Sequence, residues 1–309
     1  MGSLPNFLII GAAKCGTTAL YRYLDQHPDV FLSPSKEPQF YAFEGEQLSF
    51  QGPGVTINET AVTRLEDYEA LFEGVRNERA IGEASALYLY VPSAAERIQR
   101  HVPNARLIAV LRNPTDRAYS SYMHLRREGR ESCETFPEAL EAEAGRIAEN
   151  WGFLWRYRDL GLYAGQLRRY YERFPRAQIR VVLYDDFQSR PQETLREIFG
   201  FLEVDPDFSP DTSVRHNVSG IPRSRALYSI LWGKNRLGQL VESAIPGRIL
   251  ADVRGRVAGH LLRREPFDPA LRARIAASFR DEVVELQDLI GRDLSAWLEA
   301  PAAEPGANP

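Results

Sequence analysis

The stretch Phe7-Leu8-Ile9-Ile10-Gly11-Ala12-Ala13-Lys14-Cys15-Gly16-Thr17-Thr18-Ala19-Leu20 decides the fold of this 309-residue chain. Its apolar start predicts a buried strand, the glycine-bounded loop predicts a tight turn, and the residues that follow have the spacing of an amphipathic helix. A strand, a tight turn and a helix N-terminus in that order present several backbone N–H groups to one point, where they hold an anion, usually a phosphate. The stretch therefore predicts a phosphate-binding loop at the end of a strand.

The position of the lysine distinguishes this loop from the loops of ATP- and GTP-binding enzymes. Those loops have the form G-x-x-x-x-G-K-[ST]. Gly11 and Gly16 have the matching separation, but Thr17 stands where the motif has its lysine, and Lys14 lies inside the loop. The phosphate cradle is kept, whereas the match to a magnesium–nucleoside triphosphate site is lost.

A second phosphate motif follows a second apolar run, Arg106–Leu111. Arg112-Asn113-Pro114 comes directly after it, and Ser120 lies eight residues after Arg112, on the next predicted helix. A guanidinium offers a planar fork that suits a phosphate, and a serine hydroxyl adds a further contact. Two phosphate sites on two strand-to-helix turns are what a nucleotide phosphorylated at both ends requires.

The two motifs together resemble those of sulfotransferases that use 3′-phosphoadenylyl sulfate (PAPS). The loop is similar to the family's x-x-K-x-G-T-T loop for the 5′-phosphosulfate, and the second motif to its R-[ND]-P-x-x-R-x-x-S motif for the 3′-phosphate. The resemblance implies that Lys14 stabilises the leaving phosphate and that adenosine 3′,5′-bisphosphate (PAP) is the product. Arg223, in a late loop similar to the one that closes over the nucleotide, is a further candidate contact. The implied donor-binding residues are Lys14, Cys15, Gly16, Thr17, Thr18, Arg112, Ser120 and Arg223.

The segment Ser35–Tyr41 resembles the K-E-P-x-F-[FY] segment of carbohydrate sulfotransferases, including heparan sulfate O-sulfotransferases. There the glutamate takes the proton of the acceptor, so Glu37 is the candidate general base; the alternative is a structural carboxylate before a proline turn. The stretch Ile81–Tyr88 contains no histidine, which the aryl-type branch uses as its base. It also departs from the Glu-Lys-[ST]-Pro motif of the carbohydrate branch, because Ala84 stands in place of the lysine and Ala86 in place of the proline. A second cation is therefore in doubt, and Lys36 is the candidate for it.

Several other residues stay open between functional and structural interpretations. His124 is compatible with a place in the cleft, although a lone histidine on a helix more often packs or lies at the surface. Arg117 is interpreted as a solvated or structural helix residue. The Cys15 thiol is interpreted as a small space-filler, because the mechanism forms no covalent intermediate. Trp151, Trp155 and Tyr163 are interpreted as core or adenine-side packing.

Apolar runs that alternate with helical patterns predict an α/β fold, a P-loop-like three-layer arrangement with a central parallel sheet flanked by helices. The predicted strands include 7–10, 30–32, 80–82, 106–111 and 178–184, and the clearest helices 164–174 and 191–202. We expect residues 1–299 to form one domain and 300–309 to form a disordered tail. Residues 45–61 form a predicted surface loop near the acceptor cleft, and 224–265 are compatible with a lid, a dimer surface or packing helices.

Composition narrows the function classes. A net charge of −4 argues against nonspecific nucleic-acid binding, and no window has the apolar length for membrane insertion. Two cysteines make no disulfide framework, and no signal peptide is recognised, which predicts a cytoplasmic protein. The arginine-rich, lysine-poor composition suggests a bacterial genome. No His, Cys and carboxylate cluster has metal-ligand spacing, so no metal is expected.

The sequence thus predicts an enzyme that transfers a sulfuryl group from PAPS to an acceptor hydroxyl or amine. The expected acceptor is a carbohydrate or a small molecule such as a lipid or secondary metabolite, and a homodimer is left open. Two alternatives remain. A P-loop nucleotide kinase would need a lysine at Thr17 and a magnesium-binding aspartate, and a noncatalytic nucleotide-binding protein would not need Glu37.

Overall fold

The computed structural model describes residues 4–212, 221–222, 262–263 and 267–299. Its centre is a parallel sheet of five strands, and helices flank this sheet in a three-layer α/β arrangement. The predicted fold class is therefore confirmed. The strands of the sheet are β1 (Phe7–Gly11), β2 (Val30–Leu32), β3 (Ala80–Ala84), β4 (Arg106–Leu111) and β5 (Ile179–Leu183). Two further short strands, β6 (Ile221–Pro222) and β7 (Leu262–Arg263), pair with each other in antiparallel orientation.

The predicted helices of the chain are also found. Helices 164–174 and 191–202 were expected, and the structure has them at Tyr163–Tyr171 and Pro191–Leu202. In chain order the α-helices described are α1 (Thr17–Leu24), α2 (Phe40–Phe43), α3 (Ile57–Thr60), α4 (Leu65–Ala70), α5 (Ala94–His101), α6 (Pro114–Arg127), α7 (Phe136–Ala148), α8 (Tyr163–Tyr171), α9 (Tyr184–Ser189), α10 (Pro191–Leu202), α11 (Pro269–Ser278) and α12 (Arg280–Ile290).

The order of the strands brings the functional loops to one edge of the sheet. The order is β2-β3-β1-β4-β5, with every pair parallel, so β1 lies between β3 and β4. From β1 the chain crosses to β2 and β3 on one side and then to β4 and β5 on the other. Because all strands run in the same direction, the loops that follow them meet at the carboxyl edge, where such sheets bind ligands.

Strand β1 can occupy the centre because its side chains are apolar on both faces. Phe7, Leu8, Ile9 and Ile10 are all fully buried, which is typical of a strand covered by helices on two sides. A single cluster of buried apolar side chains extends from Phe7 to Trp297. The prediction of one domain over 1–299 agrees with this core but stays a prediction, and residues 300–309 lie outside the described residues.

The C-terminal segment is attached to the second phosphate motif. The Asn113 side chain accepts a hydrogen bond from the Thr115 N–H at 3.0 Å, which caps α6, and donates one to the Trp297 carbonyl at 2.8 Å. Asp116, three residues further on, accepts two hydrogen bonds from the guanidinium of Arg272 at 2.8 and 3.0 Å. The segment 267–299 therefore fixes the start of α6, on which the motif depends.

Close packing between β1 and β3 depends on a glycine. A Cβ atom added to Gly82 would lie 2.4 Å from the ring of Phe7, which is buried in the core. We predict that Gly82→Ala lowers the free energy of unfolding by about 1–3 kcal/mol, because the core must shift to accept the methyl group. The measurement is urea unfolding followed by circular dichroism.

Gly165→Ala is the matched control, since Gly165 lies in α8 with no atom within 4 Å of an added Cβ. That substitution should stabilise the protein by up to about 1 kcal/mol, because alanine has the higher helix propensity. Equal stability of the Gly82→Ala variant and the wild type would contradict the packing argument.

Candidate active site

The loop between β1 and α1 has the geometry of an anion cradle. Gly16 precedes α1 with φ of 94°, and a Cβ there would lie 3.0 Å from the Tyr184 ring, so glycine is required on two counts. Within the described residues, no backbone carbonyl accepts the N–H groups of Gly16, Thr17 and Thr18. These N–H groups stand at the N-terminus of an eight-residue helix, where the helix dipole also favours an anion.

Lys14 stands in a strongly positive environment. It adopts φ of 70°, is half-buried, and makes no ion pair with any described residue. Burial, together with the charges of Arg127, Arg112 and Arg117, lowers the pKa of Lys14 to about 8, while the charge of Glu128 opposes this shift. A buried ammonium next to several guanidiniums is costly in the absence of an anion. The loop is therefore electrostatically prepared for a negatively charged ligand.

Arg112 and Ser120 have the placement that the second motif predicts. Arg112 follows the last residue of β4, and its guanidinium lies over the Tyr184 ring at 4.8 Å from the centroid. Ser120 lies on α6, and both residues are half-buried. A Cβ added to Gly16 would lie 3.0 Å from the same Tyr184 ring, so this ring lies close to both phosphate motifs. Arg112 makes no ion pair within the part of the chain that the structure describes.

Glu37 is fixed to the end of β3 from both its backbone and its side chain. Its N–H donates to the Ala84 carbonyl at 2.9 Å, and its Oε2 accepts from the Ala86 N–H at 2.8 Å. Gln39 Nε2 donates to the same oxygen at 2.7 Å, and Lys36 Nζ lies 2.5 Å from Oε1. Glu37 and Gln39 have φ of 63° and 59°, an uncommon conformation that these hydrogen bonds hold in place.

One cleft of about 410 Å³ contains Lys14, Glu37 and His124. The loop after β1 lines one side, with Thr17 and Thr18 beside the lysine. The segment predicted as a surface excursion, 45–61, also lines the cleft, through residues in and next to α3. The structure thus brings the proposed base and the loop lysine to the same space, which the sequence motifs alone could not establish.

His124 lies in the cleft as a neutral imidazole. Its Nδ1 is 2.8 Å from the guanidinium Nη2 of Arg127, and its Nε2 is 3.3 Å from Glu128 Oε1. Because a guanidinium only donates, Nδ1 accepts and the proton lies on Nε2. Burial, followed by the charges of Lys14, Arg127 and Arg130, lowers the pKa of His124 to about 2. Of the two positions that the sequence left open for His124, the structure shows the one in the cleft.

Glu83 is a buried carboxyl group that the sequence interpretation missed. It is fully buried, and burial raises its pKa to about 7. The Ser85 hydroxyl donates to its Oε2 at 2.9 Å and the Tyr68 hydroxyl donates to its Oε1 at 3.3 Å. The same Ser85 oxygen accepts the Gln39 N–H at 2.9 Å, so Glu83 supports the segment that carries Glu37. The signal available in the sequence was a glutamate that directly follows the apolar run 80–82.

Three further residues singled out in the sequence, Cys15, Arg117 and Trp155, are buried in the structure. The Cys15 thiol is buried, lies 3.6 Å from the Tyr163 hydroxyl and has its pKa raised by burial, which fits a space-filler. Arg117 is fully buried and donates to the Tyr157 carbonyl, so it is structural and the solvated alternative is wrong. Trp155 is buried and lines the cleft. Arg223 and most of the segment 224–265 lie outside the described residues.

The comparisons with known proteins agree with this geometry. Residues 5–209, well over half of the chain, match the Sulfotransferase family. The chain belongs to the sulfotransferase family. A solved sulfotransferase from Alicyclobacillus acidocaldarius is 38% identical with a TM-score of 0.76, covering 96% of this chain and 100% of that one. The predicted enzyme class is thereby confirmed.

Two longer relatives carry carbohydrate names. A mouse protein named bifunctional heparan sulfate N-deacetylase/N-sulfotransferase 3 is 28% identical over 96% of this chain and 31% of its own length. Human carbohydrate sulfotransferase 15 is 28% identical over 66% of this chain and 44% of its own length. This sulfotransferase therefore spans less than half of either relative.

The described residues contain neither a membrane-spanning helix nor a group of side chains arranged for a metal ion. No described helix combines the length and apolar character that a membrane span requires. No group of three or more histidine, cysteine and carboxylate side chains is arranged to hold a metal ion in the described ranges. The predicted cytoplasmic location stays a prediction.

The raised pKa of Glu83 predicts a pH-dependent stability. Between about 4.5 and 7 the folded protein keeps the proton that the unfolded chain releases, so stability falls as the pH rises through this range. For Glu83 alone the loss reaches about 3 kcal/mol by pH 8. In Glu83→Gln this contribution should vanish, so the variant gains stability relative to the wild type on going from pH 5 to pH 8. Urea unfolding at both pH values measures the change.

Burial also raises the pKa of Glu282 to about 7. Glu282 is present in both proteins, so its contribution to the pH dependence cancels when the variant is compared with the wild type. An identical pH dependence of the Glu83→Gln variant and the wild type would show that Glu83 does not titrate in this way.

Proposed function

We propose that this sulfotransferase moves the sulfuryl group of PAPS to an acceptor hydroxyl or amine by in-line displacement. The observation that carries the proposal is that Lys14 and Glu37 line the same cleft, one at the phosphate loop and the other facing it from the segment after β2. Sulfuryl transfer needs a bound donor, a stabilised leaving phosphate and a deprotonated acceptor. The two residues supply the second and third requirements.

The donor would bind across two strand ends. The N–H groups of Gly16, Thr17 and Thr18, which no backbone carbonyl of the described residues accepts, suit the 5′-phosphosulfate. The Cys15 N–H donates to the Ala12 carbonyl at 3.2 Å, so Cys15 would shape the loop and not offer its N–H to the donor. Arg112 and Ser120 suit the 3′-phosphate at the neighbouring strand end. Arg223 remains part of the proposal from sequence alone. A donor with charges at both ends of its ribose would thus compensate the positive charge around the loop.

The reaction would proceed as one displacement. Glu37 takes the proton from the acceptor, the acceptor oxygen or nitrogen forms a bond to sulfur, and the bond between sulfur and the bridging oxygen breaks. PAP leaves with the bond electrons, and Lys14 stabilises the charge that grows on the bridging oxygen. His124, neutral and next to Lys14, presents no added positive charge and can contact the transferring group. The steps need no covalent enzyme intermediate and no metal ion.

The alternatives receive less support. A nucleotide kinase is disfavoured because Thr17 occupies the lysine position of the kinase loop and because the chain matches the sulfotransferase family. A noncatalytic nucleotide-binding protein would not need a carboxylate at this position, whereas several hydrogen bonds fix Glu37 in the cleft. The names of the longer relatives support a carbohydrate acceptor, hydroxyl or amine, as one class to test.

Replacement of the proposed base separates catalysis from binding. We predict that Glu37→Gln reduces the formation of PAP from PAPS by about 10²–10⁴-fold, as expected for the loss of a general base. The assay uses a mixed panel of sugars, phenols and aliphatic alcohols, with PAP measured by chromatography. Calorimetric affinity for PAP should stay within about threefold of the wild type, because the amide keeps the shape of the side chain.

Glu59→Gln is the matched control, since Glu59 is an exposed carboxylate on α3, next to cleft residues. It should leave both turnover and affinity unchanged. Full turnover in Glu37→Gln, or an equal loss in the control, would remove Glu37 from the proposed mechanism.

A further inference from the structure

Part of the lining of the cleft, outside the phosphate loop, is apolar. We call this part the apolar wall. It consists of six aliphatic or aromatic residues from three segments, namely the start of α3 with the loop before it, the turn after β3 and the turn after α7: Val55, Ile57, Leu87, Phe153, Leu154 and Trp155. Trp155 and Phe153 are buried, and Phe153 packs against Phe50 at 4.8 Å between ring centroids. A ligand next to Glu37 would therefore contact a hydrophobic surface.

The charged groups of the cleft already have partners or belong to the donor side. Among the described lining residues the charged side chains are Lys14, Glu37 and Arg130. Arg130 donates to the Pro53 carbonyl at 2.8 Å and to Glu128 at 3.0 Å. Its guanidinium also lies over the Trp155 ring at 5.0 Å. Within the described cleft, no unpaired cation remains on the apolar side to receive an acidic ligand.

The remaining hydrogen-bonding capacity suits a neutral ligand. Gln39 and Trp155, both lining the cleft, are 4% and 1% exposed. The Gln39 Oε1 and the Trp155 Nε1 have no hydrogen-bond partner among the described residues. Unpaired buried polar atoms are costly, and one acceptor with one donor matches what a hydroxyl group provides.

We propose that the acceptor is an uncharged alcohol that carries an apolar body, and not a polyanionic polysaccharide. This inference rests on the proposed function, because it takes Glu37 as the point at which the acceptor is deprotonated. The apolar body would lie against the wall while the hydroxyl reaches Glu37. A chain of carboxylates or sulfates would instead have to bring its charges against this wall and next to Glu37, where the described lining residues offer no unpaired cation.

A matched set of glycosides tests the proposal. Octyl β-D-glucoside and methyl β-D-glucoside share the same hydroxyls and differ in the apolar tail. Octyl β-D-glucuronide has a carboxylate in place of the 6-hydroxymethyl group, and its uncharged amide, octyl β-D-glucuronamide, is the comparison that isolates the charge. Each is used below its critical micelle concentration with saturating PAPS. Formation of PAP gives kcat/KM, and saturation-transfer NMR on the PAP-bound enzyme gives acceptor binding. A heparan-type oligosaccharide serves as the polyanionic comparison.

We expect octyl glucoside to exceed methyl glucoside at least tenfold in kcat/KM, since burial of a few methylenes is sufficient for that ratio. Octyl glucuronide should fall at least tenfold below octyl glucuronamide. Ile57→Glu places a charge on the apolar wall at a half-buried position, and it should lower kcat/KM for octyl glucoside at least tenfold while methyl glucoside changes less than twofold. Val284→Glu, at an exposed valine of α12, is the control and should change neither.

Calorimetry with PAP separates this inference from the proposed function. If PAP binds tightly, the inference is overturned by equal activity on the octyl and methyl compounds, by a higher kcat/KM for the heparan-type oligosaccharide, or by no binding of octyl glucoside. If PAP does not bind, the proposed function itself is wrong. Unchanged PAP affinity in Ile57→Glu shows that the variant is folded and that any loss concerns the acceptor.

Discussion

The parallel pairing of β1 between β3 and β4 is the constraint on which the site depends. Backbone hydrogen bonds fix the direction and register of the three strands, so the loops that leave them emerge together at one edge. Lys14 follows β1, Arg112 follows β4, and the end of β3 holds Glu37 through Ala84 and Ala86. The strand pairing therefore brings residues that are far apart in the chain to one site.

The electrostatics of the site follow from this convergence. The loop places the Lys14 ammonium in a partly buried position near three guanidiniums, and burial together with these charges lowers its pKa to about 8. His124, in the same cleft, stays neutral because burial and the charges of Lys14, Arg127 and Arg130 lower its pKa. The arrangement concentrates positive charge at the place where the proposed donor is anionic, and another part of the cleft lining is apolar. Binding of the donor and selection of the acceptor would thus depend on different parts of one cleft.

The sequence predicted the features that depend on local pattern. The strand and helix runs, the phosphate loop and the second motif are contiguous, so periodicity, glycine spacing and family resemblance were sufficient to predict them. The sequence did not predict relations that arise only on folding. Glu83 lies just after the predicted strand 80–82, inside the observed β3, and its link to Glu37 through Ser85 and Gln39 joins two segments. The tautomer of His124 likewise depends on Arg127, and the apolar wall joins side chains from three separate segments.

The most direct test of the account is a calorimetric titration of the protein with PAP, in parallel with ATP plus magnesium. The account predicts tight binding of PAP at one site per chain and much weaker binding of ATP, because two phosphate sites serve the two ends of the bisphosphate. Arg112→Ala should weaken PAP binding by about tenfold to a hundredfold, the loss expected for a charged hydrogen bond. Preference for magnesium-ATP, or PAP affinity that Arg112→Ala leaves unchanged, would contradict the account.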